Sequence, residues 1–231
     1  MILKPPKGII LNRNHLFAHG LVGCWLMNEG GGGVISDLSG NDQGGALQAS
    51  TSWVAGKFGS ALRFASGDYV TIADNVNPTT GVTISVWFKS DSAGISTIFT
   101  WNVTSSTSSG IWFALDLNSE ANTRIYFYLK GVGNNSSDIP GTRNDGTWHH
   151  YAVTYDGQTV CYYIDGVCLD TDPDSGTITY SGVASYIGRL DEGGYPMVGD
   201  VDHLILFNRG LERQAVGLLY REPFCMFEDL I

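Results

Sequence analysis

The stretch DGTWHHYAVTYDGQTVCYYIDGVC, Asp145–Cys168, decides how the chain folds. It holds two runs of alternating residues, Trp148–Tyr155 and Thr159–Ile164, both rich in aromatic and β-branched types. An Asp-Gly pair stands at each boundary: Asp145-Gly146 before the first run, Asp156-Gly157 between them and Asp165-Gly166 after the second. Asp-Gly tolerates the positive φ of tight hairpin turns, so the pattern predicts three consecutive antiparallel strands, the third starting at Val167.

The same signature spreads outward on both sides. Strands are expected near Leu21–Met27, Ala61–Phe64, Tyr69–Ile72, Val82–Lys89, Ile95–Trp101, Gly110–Leu117 and Arg124–Leu129. After the meander, Ile178–Tyr180, Ala184–Ile187 and Val201–Phe207 read as strands and Glu212–Tyr220 as a short helical turn. Val103–Ser109 and Gly131–Gly146 are rich in Ser, Gly and Asn and read as loops. With 231 residues, 30 glycines, 12% aromatic and 16% charged residues, the composition suits one all-β domain of many short strands. The expected organisation is an N-terminal arm over 1–20, carrying Pro5-Pro6, a single domain over 21–220 and a tail over 221–231.

The net charge of −10 repels phosphate backbones, so nucleic acid is not an expected partner. No run of about eighteen apolar residues is present, which argues against insertion of a helix in a membrane. The start, MILKPPKGIILNRNHLFAHG, lacks a sustained apolar core and does not read as a secretory signal. Synthesis in the cytoplasm with association to a particle or surface is the matching expectation. A two-residue turn at Asp165-Gly166 sets Tyr163 opposite Cys168 and Cys161 opposite Asp170, so the two cysteines are diagonal neighbours in poor disulfide geometry. Cys24 and Cys225 complete a set expected to be free thiols.

The parity of the long strands separates two faces. Ile84, Val86 and Phe88 alternate with Ser85, Trp87 and Lys89; Ile111, Phe113, Leu115 and Leu117 alternate with Trp112 and Asp116. Ile125, Phe127 and Leu129 alternate with Arg124, Tyr126, Tyr128 and Lys130. Period-two alternation puts each pair of sets on opposite sides of a sheet. The first sets predict the core. The second predict one outward face carrying Trp87, Trp112, Tyr126 and Tyr128, with Asp116 and Arg124 among them.

Four segments carry a family resemblance: TISVWFKSD, DGTWHHYAVTYDG with YYIDGV, GDVDHLILFNRGLERQAVGLLY and the opening LVGCWLMNEGGGGVISDLSGND. Together they resemble laminin-G-like domains of the concanavalin A-like lectin/glucanase superfamily over about residues 21–220. The resemblance implies a jelly-roll sandwich of two antiparallel sheets, one convex and one concave, a fold that hosts lectins, adhesion modules, glycanases and lyases. It also implies a structural calcium ion between the first loop and the last strand, at Asp37 and Asp202, with Asn41 and Glu29 as further ligands. Calcium takes six to eight oxygens, which a Gly-rich loop can help supply. The family's last strand reads Gly-x-Ile-Asp-Asp; here Gly199–His203 keeps the first of the paired aspartates as Asp202 and replaces the second by His203.

Catalysis is not expected. Retaining glucanases of this fold set two carboxylates about 5 Å apart on alternate residues of one strand. Glu29, Glu120, Glu192, Glu212, Glu222 and Glu228 form no such pattern. His149 and His150 are neighbours on a strand and point to opposite faces. The reading is a non-catalytic module that binds a glycan or glycoconjugate on the aromatic face. The alternatives are an assembly protein, such as a viral surface or fibre component that forms a homo-oligomer through its termini, and a glycanase or polysaccharide lyase.

Overall fold

The computed structural model describes residues 2–103, 110–117, 121–180 and 184–228, apart from the side chain of Glu192. In chain order the strands begin with β1 (Leu21–Trp25), β2 (Val34–Ile35), β3 (Gly45–Gln48), β4 (Ser52–Ala55) and β5 (Ser60–Phe64). Next are β6 (Tyr69–Ile72), β7 (Val82–Lys89), β8 (Ile95–Trp101), β9 (Ile111–Asp116) and β10 (Asn122–Leu129). Then follow β11 (Gly133–Pro140), β12 (His149–Tyr155), β13 (Thr159–Ile164), β14 (Val167–Pro173), β15 (Ser185–Ile187) and β16 (Gly199–Phe207). One helix, α1 (Arg213–Arg221), closes the series among the described residues.

These strands form a jelly-roll sandwich of two antiparallel sheets. The first runs β14-β13-β12-β7-β16-β5-β4, with β1 also paired to β16; the second runs β11-β10-β9-β8-β15-β6-β3-β2. The central meander forms as its Asp-Gly pairs predict. Asp165 and Gly166 take φ of 50° and 77°, the double positive φ that a type I′ hairpin demands. A bulge between Tyr162 and Tyr163 corrects one expected pairing: Cys168 faces Tyr163, but Cys161 faces Thr171 rather than Asp170. All four cysteines are free.

The strand parities hold as well. Ile84, Val86 and Phe88 meet Ile111, Phe113, Leu115, Ile125, Phe127 and Leu129 in one buried cluster between the sheets. Two expectations fail locally. Gly131–Gly146 is not all loop, since Gly133–Pro140 pairs along the whole of β10 as an edge strand. Ile178–Tyr180 is no strand: Ile178 N donates to Thr79 O at 2.9 Å and Thr179 N to Lys130 O at 2.8 Å, tying a connection to two different segments. Of the loop expected at Val103–Ser109, residues 104–109 lie outside the described residues, as do Glu120 and the last three residues of the tail.

The outer face of the first sheet is covered rather than wet. Ile9, Leu11 and Phe17 of the arm, Val216 and Leu219 of α1, and Met226 and Phe227 of the tail bury against Ala152, Tyr163, Ile205 and Phe207. Arm and tail hold each other in antiparallel fashion: Leu11 bridges to Phe227, Asn12 N donates to Met226 O at 2.9 Å and Glu228 N to Ile10 O at 2.9 Å. A second hydrophobic layer thus forms outside the sandwich, from the arm, the helix and the tail.

Candidate functional site

The outer face of the second sheet carries polar and aromatic groups in register. On β9 it presents Trp112, Ala114 and Asp116; on β10 these lie opposite Tyr128, Tyr126 and Arg124, and on β11 opposite those come Asn134, Ser136 and Asp138. Trp112 stacks on Tyr126 (ring centres 5.5 Å apart, planes at 16°) and meets Tyr128 edge-on at 4.8 Å. Offset stacks and edge-to-face contacts are the arrangements that aromatic quadrupoles favour. Arg124 forks onto Asp138 through Nε and Nη2, both at 2.6 Å, and lies 5.9 Å from the Tyr126 ring. The Asp138 partner holds the Arg124 guanidinium well above its ordinary pKa, and Arg124 in turn holds Asp138 below the usual carboxylate range.

A loop absent from the sequence reading completes this platform. Tyr195 lies between a 3-10 turn at Asp191–Gly193 and β16, at φ 47°, 45% exposed, and stacks on Trp112 at 5.7 Å. Thr97 N donates to Tyr195 O at 3.0 Å and Trp112 Nε1 donates to Thr97 Oγ1 at 3.1 Å, so β8 holds both the loop and the indole. Trp112 is consequently only 4% exposed, packed with Val103, Ala114 and Leu190. The half-buried Tyr126 and Tyr128, together with Tyr195, form the accessible part. Further along the same sheet the Arg189 guanidinium lies 3.9 Å from the Tyr69 ring centre and 4.6 Å from that of Tyr186.

Trp87 does not belong to this face. It lies on β7, in the other sheet, beneath α1 and the tail, stacked on Tyr220 at 5.5 Å and edge-on to Phe58 at 5.2 Å. Parity correctly sets it opposite the core of its own strand, but the four aromatics do not look outward from one sheet. Trp87 is a packing residue.

The residues expected to hold calcium are each engaged elsewhere. Asp37 Oδ1 accepts from Cys24 N and Ser39 N, both at 2.9 Å, and its Oδ2 from Ser39 Oγ at 2.6 Å and Gln43 N at 3.0 Å. Asn41 Nδ2 donates to the carbonyls of Leu21 and Val22 at 2.9 and 3.0 Å. Asp202, fully buried on β16, accepts from Phe58 N at 3.1 Å through Oδ2 and pairs through Oδ1 with the ammonium of Lys4. Asp37 and Asp202 share no hydrogen-bond partner, and among the described residues no group of three or more His, Cys, Asp or Glu could hold a metal. As arranged, these side chains do not fit a calcium ion. Burial pushes Lys4 below its ordinary pKa and Asp202 above its own, against the attraction between them.

The histidines are structural. His149 Nδ1 lies 2.9 Å from Asp165 Oδ2, an interaction that raises its pKa against the opposing effect of burial. His150 is buried on the other side of the strand, with Nε2 at 2.8 Å from Ser85 Oγ. A serine–histidine contact sealed from solvent has no path for a substrate. A cleft of about 410 Å³ elsewhere on the first sheet is lined by Arg63, Lys89, Asp91 and Asp200. Burial pushes Asp200 up, but Arg63 Nε at 2.7 Å and Lys89 Nζ at 2.8 Å outweigh it and keep the carboxyl below its usual range. Its charges neutralise one another.

The family model of the Concanavalin A-like lectin/glucanases superfamily matches residues 64–217. Among solved structures, domain 4 of AbnA, a GH43 extracellular arabinanase from Geobacillus stearothermophilus in complex with arabinotriose, is similar at 20% identity and a TM-score of 0.66. That match covers 87% of this chain and 98% of that one. The binding domain of Paraclostridial Mosquitocidal Protein 1 is similar at 18% identity and a TM-score of 0.67, over 89% of this chain and 53% of that one. The binding domain of Botulinum Neurotoxin DC, in complex with SialylT, follows at 14% and 0.60, over 89% and 52%. The chain thus spans about half the length of these two toxin domains. Identities this low speak for a shared fold alone. No curated protein matches the sequence, and no helix among the described residues is long and apolar enough to cross a membrane.

Proposed function

The chain belongs to the Concanavalin A-like lectin/glucanases superfamily, and on that footing we propose that it is a non-catalytic module that binds carbohydrate on the outer face of its second sheet. One observation carries this reading: Tyr126, Tyr128 and Tyr195 offer ring faces around the buried Trp112, fenced by Arg124, Asn134, Ser136 and Asp138. Sugars present C–H faces that stack on such rings and hydroxyls that need planar polar partners. The arabinanase domain was solved with arabinotriose and the neurotoxin domain with SialylT, which makes arabino-oligosaccharides and sialylated glycans the first candidates. Array screening should therefore find a glycan ligand, and Tyr126→Ala should weaken it by about tenfold or more, equivalent to 1.4 kcal/mol, with the melting temperature nearly unchanged. Equal binding by the variant would move the site elsewhere. Release of reducing ends from arabinan, laminarin or alginate above a buffer control would overturn the non-catalytic part.

The alternative of an assembly component draws on a different observation. Ile2, Leu3 and Ile10 of the arm are 47%, 72% and 59% exposed although their neighbours Ile9 and Leu11 are buried. Under this reading Leu3→Ser with Ile10→Ser lowers the sedimentation mass to that of one chain. A wild-type monomer removes it.

A further inference from the structure

Lys4 is held where a lysine is seldom found. Its side chain is 4% exposed, and its ammonium donates to Asp202 Oδ1, to the carbonyl of Ser60 and, at 3.3 Å, to the carbonyl of Met27. Three oxygens thus match the three donors of an ammonium. The backbone is shaped around this contact: a Cβ on Gly56 would stand 2.6 Å from Asp202 Oδ2, so only glycine lets that loop close on the carboxylate. The arm is fastened on either side, with Lys4 N donating to Phe58 O at 3.0 Å and Asn28 Nδ2 donating to Pro5 O at 3.1 Å.

The electrostatic balance of the cage is uneven. Glu29 adds a second carboxylate whose charge acts on Lys4. Its Oε1 accepts from Ser36 N at 2.7 Å, while its Oε2 is buried with no hydrogen-bond partner. The two carbonyls and the Asp202 carboxylate are hard oxygen donors of the kind that a divalent cation such as calcium takes, with water in its remaining positions.

We propose that Lys4 is the resident cation of this cage: its ammonium stands where a metal ion would bind, fastens the N-terminal arm to the first sheet, and excludes the ion. A divalent cation and the lysine compete for the same oxygens, so the protein as it stands needs no metal, and removing the ammonium creates a calcium site.

The test compares the full-length chain with Lys4→Ala and Lys4→Met, by thermal melting in chelator and in millimolar calcium and by calcium titration calorimetry. The wild type should melt identically in both buffers and take up no calcium. Lys4→Ala, which empties the cage, should melt lower in chelator, recover when calcium is added, and bind one ion; adding Asp202→Asn should abolish that recovery. Lys4→Met fills the cage with an apolar stem, so it should melt lower and gain nothing from calcium. Should Lys4→Ala fold in neither buffer, Lys4→Gln is compared in its place, and calcium must raise its melting temperature. A calcium-dependent rise in the wild type, or no gain in either the alanine or the glutamine variant, overturns the proposal.

Discussion

Acidification from pH 7 to pH 4 should cost the fold about 3 kcal/mol through His150 alone. The ring is 1% exposed, lies against Trp87 and Tyr220 at centroid distances of 5.4 and 5.8 Å, and its Nδ1 has no hydrogen-bond partner. Burial holds its pKa down to about 4, and the charge of Asp165 only partly offsets this. An unfolded histidine takes its proton near pH 6.5, so between these values the unfolded chain binds more protons than the folded one. Stability contributed by the neutral ring is therefore complete above pH 6.5 and is lost as the pH falls towards 4. His203, buried against Phe224 at 4.9 Å and held well below its ordinary pKa by burial, acts in the same direction.

Two groups oppose this trend. His149, raised by Asp165, contributes stability that is complete below pH 6.5 and lost as the pH rises through its higher folded value. Asp202 has the same sign, because burial raises it. Urea unfolding at pH 7 and pH 4 measures the sum, and His150→Gln isolates the contribution of His150. That variant should lose markedly less stability over the interval than the wild type. Equal losses would mean that His150 reaches solvent or stays charged in the fold.

The histidines also mark how far the sequence can be read. Alternation puts His149 and His150 on opposite faces, and it puts Ile84, Val86 and Phe88 of β7 and the apolar sets of β9 and β10 in the core, because a strand's period is a local property of its own residues. Sheet membership is different, since it depends on partners distant in sequence. Parity alone groups Trp87 with the aromatic platform, yet β7 pairs with β12 and β16, whereas β9 and β10 pair with each other in the other sheet. The edge strand β11, GNNSSDIP, carries almost no apolar signal; its inward Ile139 and its pairing with β10 make it a strand. The arm and tail show no periodicity to read, and so the layer they build over the first sheet was illegible. At β16 the replacement of a second aspartate by His203 was visible, but not its consequence. His203 takes φ of 49° at a bulge between Asp202 and Ile205, and that extra residue turns both Asp202 and the imidazole towards the covering layer. Lys4 carried no signal at all beyond an early positive charge.

Trp112→Ala should destabilise the protein by about 3–5 kcal/mol, the cost of deleting a large buried aromatic, whereas Tyr126→Ala should cost much less. Position on an outward face does not by itself make a residue accessible, and the two side chains show why. Trp112 and Tyr126 are stacked neighbours on the same side of the same sheet. The indole, however, is sealed by Leu190, Val103 and Tyr195, and its Nε1 proton is committed to Thr97 Oγ1. Removing it leaves a cavity under the loop that carries Tyr195 and strips a hydrogen bond from a hydroxyl that is itself buried. If the face binds carbohydrate as proposed, glycan affinity should fall in both variants for different reasons: through a displaced Tyr195 in one, and through a lost stacking surface in the other. Equilibrium unfolding and glycan titration of both proteins separate these effects. A Trp112→Ala chain within about 1 kcal/mol of the wild type, well short of the cost of a buried aromatic, would show that the indole is a free contact surface. The platform would then be centred on Trp112 rather than on the three tyrosines around it.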